Sequence, residues 1–201
     1  MKKIILVLTI SLVLTLAFSS LTMADHKIII GYDMEGKYEI RDSDWWDDDA
    51  DDDTKRYDTE SGLTIGYECT YKMRRVEYGF GFETQFERGL TDYDDTEFKF
   101  NPLYGVIYVY LPYEEEDSAP FFVGRLGYNM HVGNDTYKDI NGVETELGDG
   151  IYTAVGFGFN FNRSMGAILY SVNNGSRTSN TDDYDRYVAY SKFSIIYGFR
   201  F

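Results

Sequence analysis

At 201 residues the chain has the length of one domain, and 17% aromatic residues with 19 Gly and 3 Pro favour strands over helices. A net charge of −15 excludes a nucleic-acid binder, because phosphate contact needs clustered Lys and Arg. The single cysteine, Cys69, excludes an internal disulfide framework.

Lys2 and Lys3 precede an apolar run over 4–18, and Ser19 to Ala24 follow it. This is the pattern of an export signal, with Thr22 and Ala24 as the small residues before the cut. Residues 1–24 are therefore expected to be removed, leaving 25–201 as the mature domain. Removal takes two lysines and no acid, so the net charge moves to −17 (17 basic against 34 acidic). Cys69 lies too far from the cut to be a lipidated first residue. Beyond Ala24 no apolar run nears the ~20 residues of a membrane helix, so any insertion must be by strands.

Eight segments alternate apolar and polar or small residues with a period of two, as strands with one face on lipid do. In 28–40 the even positions from Ile28 to Ile40 form one face, and Asp33, Glu35, Lys37 and Glu39 lie opposite. In 63–71 Leu63, Ile65, Tyr67, Cys69 and Tyr71 oppose Thr64, Gly66, Glu68 and Thr70. In 76–87 Val76, Tyr78, Phe80, Phe82 and Phe86 oppose Glu77, Gly79, Gly81, Glu83, Gln85 and Glu87. The fourth, 98–111, is apolar on both faces and leaves its register open. In the fifth, Phe122, Leu126, Tyr128, Met130 and Val132 oppose Val123, Arg125, Gly127, Asn129 and His131. In the sixth, Ile151, Val155, Phe157, Phe159 and Phe161 oppose Ala154, Gly156, Gly158 and Asn160. The seventh, 165–172, is again apolar on both sides.

The last segment places Phe193, Ile195, Tyr197, Phe199 and Phe201 at every second position, opposite Lys192, Ser194, Ile196, Gly198 and Arg200. This ending resembles that of bacterial outer-membrane barrel proteins, and the whole mature chain resembles the small OmpA/OmpX-like group. The resemblance implies an all-β fold, an eight-stranded antiparallel up-and-down transmembrane β-barrel in the bacterial outer membrane. It also implies that Tyr197, Phe199 and Phe201 are read by the outer-membrane assembly machinery. A soluble lipocalin-like barrel should have the opposite faces, apolar inside and polar outside.

With both chain ends periplasmic, the connections 72–75, 112–120 and 162–164 face the periplasm, and 41–56, 89–96, 134–150 and 173–185 face outward. The outer ones are acidic. Seven aspartates lie between Asp44 and Asp53, with Trp45 and Trp46 among them. Three readings stand: a solvated charge run, weak Ca²⁺ or Mg²⁺ binding by Asp47, Asp48, Asp49, Asp51, Asp52 and Asp53, and attachment to an extracellular ligand. Membrane lipid and lipopolysaccharide are the surroundings expected of a monomeric barrel.

An eight-stranded barrel is only wide enough for side chains to fill it. The inward list, Asp33, Glu35, Lys37, Glu39, Glu68, Glu77, Glu83, Glu87, Arg125, His131, Lys192 and Arg200, is expected to form an ion network with more acids than bases. A narrow cation path along those acids is the alternative. For catalysis, the stretch from Tyr170 through Ser171 to Gly175 resembles the Ser-Asn segment of lipid A deacylases. That family places a His two positions before its nucleophilic Ser; here Leu169 stands there, so no neighbouring base activates Ser171. A non-enzymatic surface or envelope protein, without a resident cofactor, is the expected function.

Overall fold

The computed structural model describes residues 24–41, 54–91, 93–112, 118–133, 145–179 and 185–201. Residues 1–23 of the expected leader, both tryptophans and the run from Asp47 to Asp53 lie outside the described residues. The strands are β1 (Asp25–Asp33), β2 (Lys37–Arg41), β3 (Lys55–Asp58), β4 (Gly62–Met73), β5 (Val76–Gln85) and β6 (Arg88–Leu90), followed by β7 (Tyr93–Tyr110), β8 (Ser118–Gly133), β9 (Thr145–Gly148), β10 (Gly150–Phe161), β11 (Ser164–Ser179) and β12 (Asp185–Arg200).

Eight of these close a ring. Each pairs antiparallel with the next in the order β1, β4, β5, β7, β8, β10, β11, β12, and β12 returns to β1 with Lys27 opposite Arg200 and Asp33 opposite Ser194. The four short segments lengthen the wall at the end away from the termini: β2 follows β1, β3 precedes β4, β6 follows β5 and β9 precedes β10. Closure satisfies the edges that an open sheet would leave unpaired. No helix among the described residues is long and apolar enough to cross a membrane.

Alternation decides the faces. Ile30, Leu63, Phe80, Leu126, Phe157 and Tyr197 point outward and are each about half exposed or more, while Glu68, Glu77, Arg125 and Lys192 are buried inside. The two segments left open by the sequence are fixed here. In β7 Tyr104, Val106, Tyr108 and Tyr110 turn inward and Leu103, Ile107 and Val109 outward. In β11 Met165, Ala167 and Leu169 turn inward and Ile168 and Tyr170 outward. Both faces are apolar because this part of the lumen holds an aromatic and aliphatic cluster, in which Phe121 packs edge-on against Tyr108 at 5.3 Å. Cys69 keeps its outward phase but is covered to 5% exposure.

The phase does not run through to the loop end. Between Asp33 and Lys37 the chain advances four residues while the partner β12 goes back three, from Ser194 to Ser191, so one residue is inserted. The same happens in the third strand, where Phe82 faces Leu103 but Arg88 faces Phe98. Between these, β3 and β4 keep register with β2 and β1 across the interruption at 59–61. The insertions thus form a belt of bulges across three neighbouring strands, and a bulge reverses which side chains point inward. Gly36 belongs to it for a steric reason: a Cβ there would stand 2.5 Å from the carbonyl oxygen of Ser191. Pro102, which has no N–H for a ladder, falls in the interruption between β5 and β7.

The belt corrects four expectations. Glu35, Lys37, Glu39 and Glu87 do not enter the lumen; Glu35 and Lys37 are exposed, and the Glu39 and Glu87 side chains are 19% and 49% exposed. Tyr38, Ile40, Leu90 and Arg88 turn inward in their place. The expected loops also shrink, because residues 55–58, 88–90, 145–148 and 173–179 are strand.

Candidate functional site: the charged lumen

Three charged nodes cross the interior. Nearest the chain ends, Glu77 binds Lys27 and Thr70, accepts from the Tyr110 hydroxyl at 2.6 Å and from Arg200 Nη2 at 3.2 Å. Lys27 Nζ also lies 3.8 Å from the centre of the Tyr108 ring. In the middle, Arg125 bridges two acids, with Nη1 donating to Glu83 at 3.0 Å and Nη2 to Glu68 at 2.8 Å. Glu68 also accepts from the hydroxyls of Tyr108 at 2.5 Å and Tyr104 at 3.2 Å. Just inside the belt, Asp33 accepts from Thr64 at 2.6 Å, Ser194 at 2.5 Å and Lys192 Nζ at 2.6 Å, and pairs with Arg88.

The strand pattern explains why these groups meet. Acids come from β1, β4 and β5, cations from β1, β8 and β12 and from β6, and the curvature brings opposite walls together. Every carboxylate in the three nodes has more than one partner, Glu83 taking the Gln85 amide at 3.2 Å beside Arg125, as a low-dielectric interior demands.

The expected surplus of acid is reversed. With Glu35, Lys37, Glu39 and Glu87 outside and Lys27, Arg88 and Arg177 inside, four buried carboxylates (Asp33, Glu68, Glu77, Glu83) face five buried cations (Lys27, Arg88, Arg125, Arg177, Lys192) among the described residues. Lys27 has the inward parity of β1 and was legible one residue before the segment began. Arg88 was not, because the bulge puts it out of phase with Glu87.

Above the belt the lumen holds an apolar cluster beside buried His131 and Arg177. Tyr38, Ile40, Leu90, Phe98, Phe100, Val188 and Tyr190 form a buried cluster, with Phe98 set 4.7 Å from Tyr38 and 5.1 Å from Tyr190. His131 stacks on Phe100 at 4.1 Å. On the outer wall Lys37 pairs with Asp58, and Arg56 donates to Glu39 at 2.9 Å. Along β2 and β3 the wall is thus apolar inside and charged outside, opposite to the wall beneath.

The residues of the catalytic alternative stay apart. A Cβ on Gly175 would stand 3.1 Å from His131 Nδ1, so His131 lies at the level of Gly175. Ser171 is four residues away on the same strand, or ~13 Å at strand rise. The Ser171 hydroxyl is buried and has no hydrogen-bond partner among the described residues. No group of three or more His, Cys, Asp or Glu among the described residues is placed to hold a metal. Asp149, read from sequence as loop charge, instead holds the wall by accepting from the Tyr128 hydroxyl at 2.6 Å and the His131 N–H at 3.3 Å.

At the chain ends Tyr197, Phe199 and Phe201 all point outward, at 53%, 43% and 62% exposure. Phe201 stacks on His26 at 6.0 Å and donates its N–H to the His26 carbonyl at 3.0 Å. A ring of eight antiparallel strands, apolar toward its surroundings and filled by its own side chains, decides the architecture. The chain is a small transmembrane β-barrel. No protein-family description matches the chain, and no curated protein does. Among solved structures, it is similar to Ail, the attachment invasion locus protein of Yersinia pestis, in complex with the heparin analogue sucrose octasulfate. That likeness has a TM-score of 0.42 and 15% identity, covering 89% of this chain and 99% of that one.

Proposed function

We propose that the protein is a non-conducting, non-catalytic barrel of the bacterial outer membrane that carries acidic connections outward on a rigid stalk, for surface attachment or envelope stability. One observation carries this reading: the lumen is crossed by three ion nodes and stopped above them by an aromatic cluster. The wall above the belt, charged outside and apolar inside, is suited to water, and the aspartate-rich connection 42–53 joins its β2 and β3. In this reading residues 1–24 are an export leader, the end bearing residues 25 and 200 is periplasmic, and the outward Tyr197, Phe199 and Phe201 serve assembly.

A cation path fits poorly, since Asp33, Glu68, Glu77 and Glu83 are each already engaged by Lys or Arg across the lumen. Deacylation fits poorly because Ser171 hydrogen-bonds to no base among the described residues: His131 lies ~13 Å along the strand, and Lys192, its partner across the β11–β12 pair, donates to Asp33 at 2.6 Å instead. The acidic connections favour a cationic ligand or divalent ions; a polyanion such as the one bound to Ail has the wrong sign for them.

Planar-bilayer recording with the refolded barrel tests the seal: a silent membrane is expected, and stepwise cation currents would overturn it. Calcium binding by Asp47, Asp48, Asp49, Asp51, Asp52 and Asp53 predicts a calcium-dependent rise in melting temperature that disappears when these six are changed to Asn. Lipid A from cells with and without the protein should give identical mass spectra; an acyl loss abolished by Ser171→Ala would return the chain to the enzymes.

A further inference from the structure

We infer that the hairpin between β4 and β5 is a headgroup site for anionic glycerophospholipid in the periplasmic leaflet, with Arg74 and Arg75 as its ligands. The two arginines form a two-residue turn closed by the Met73 and Val76 pair. Such turns need a positive φ, which Asn and Gly supply most readily. The equivalent hairpin at 162–163 obeys that rule, with Asn162 at φ 54°. At the same place in the first hairpin stands Arg74, at φ 57°. A strained arginine where asparagine serves the backbone better points to a use for its charge.

That charge has no internal use. Arg74 and Arg75 are exposed, and no acid among the described residues pairs with either. Lys72 beside them turns the other way, over the inward Tyr110 ring at 4.8 Å. A groove of about 600 Å³ at this hairpin is lined by Met73, Arg74, Arg75, Val76 and Tyr78. Met73 and Tyr78 are 62% and 48% exposed and belong to the lipid-facing wall. A cationic rim over an apolar groove at the end of the spanning strands matches a phosphate above a glycerol and acyl chain. Zwitterionic lipid offers the same chain with no net charge, so the site favours the anionic headgroup.

The inference rests on the sidedness given under Proposed function. In sequence the neighbouring connection carries Glu114, Glu115, Glu116 and Asp117, which offer the arginines a rival partner. The full barrel in nanodiscs of mixed phosphatidylglycerol and phosphatidylcholine, read by native mass spectrometry of co-purifying lipid, separates the two. Wild type is expected to retain phosphatidylglycerol roughly tenfold over its share of the mixture. Arg74→Asn with Arg75→Gln should bring retention near that share, while Arg74→Asn alone, which suits the turn, should leave the melting temperature equal or higher. A folded wild-type barrel with no preference, or a preference the double variant keeps, overturns the site. So does a preference that appears only after Glu114, Glu115, Glu116 and Asp117 are neutralised. Protein that is β-sheet in these nanodiscs but fractionates away from outer membranes in cells refutes the cellular reading instead.

Discussion

Below the belt of bulges the wall buries charge and shows hydrocarbon; above it, the first three strands bury rings and show charge. One chain therefore uses two opposite solvation rules, and a single inserted residue per strand is the device that switches between them. Lipid and water demand opposite exteriors, so the switch marks the height at which the wall leaves the hydrocarbon. It also gives the lumen two kinds of filling, ion pairs and tyrosines near the chain ends and an aromatic stack near the loops.

The strongest way to break the lower region is Asp33→Ala. It strands Arg88 and Lys192 together, and unfolding in denaturant should show a loss of about 5 kcal/mol, as removal of one partner from a buried pair does. In the upper region Phe98→Ala removes a ring that is 0% exposed, and a loss of ~3–4 kcal/mol is expected by thermal melting in micelles. The sign of the outer wall is tested by Ile30→Lys, which puts a charge on the lipid face and should cost ~2–4 kcal/mol in vesicle refolding. Lys37→Leu, seven residues on and past the belt, should change stability by no more than about 0.5 kcal/mol. If Lys37→Leu stabilised the barrel as strongly as Ile30→Lys destabilised it, the two regions would share one lipid face and the inversion would be wrong.

The barrel itself was legible in the sequence, because lipid contact forces alternation that Leu63, Ile65 and Tyr67 or Phe80 and Phe82 show residue by residue. The same alternation gives an inward phase to Glu68, Glu77, Glu83, Arg125, His131 and Lys192, which are buried, and to Arg200, whose side chain is 18% exposed. Glu35, Lys37 and Glu39 were misplaced because one extra residue alters neither composition nor periodicity on either side of itself. Gly36 and Pro102 are the marks the bulges leave: a residue without a side chain where backbones crowd, and one without an N–H where a ladder stops. The tyrosines of β7 escaped for a different reason, since a phenol reads as apolar until its hydroxyl is seen to meet a buried carboxylate.

The join between β1 and β12 unites the first strand made with the last, and its alignment is checked by more than the backbone. Asp33 receives Lys192 and Ser194 from across that join, so sliding β12 by two residues preserves every inward face yet leaves the carboxylate and the ammonium apart. Misaligned closures are thereby penalised in proportion to the desolvation of an unmatched charge. The seam acts as a keyed fastening that holds firmly in one position, so errors in threading the final strand are rejected by the barrel itself.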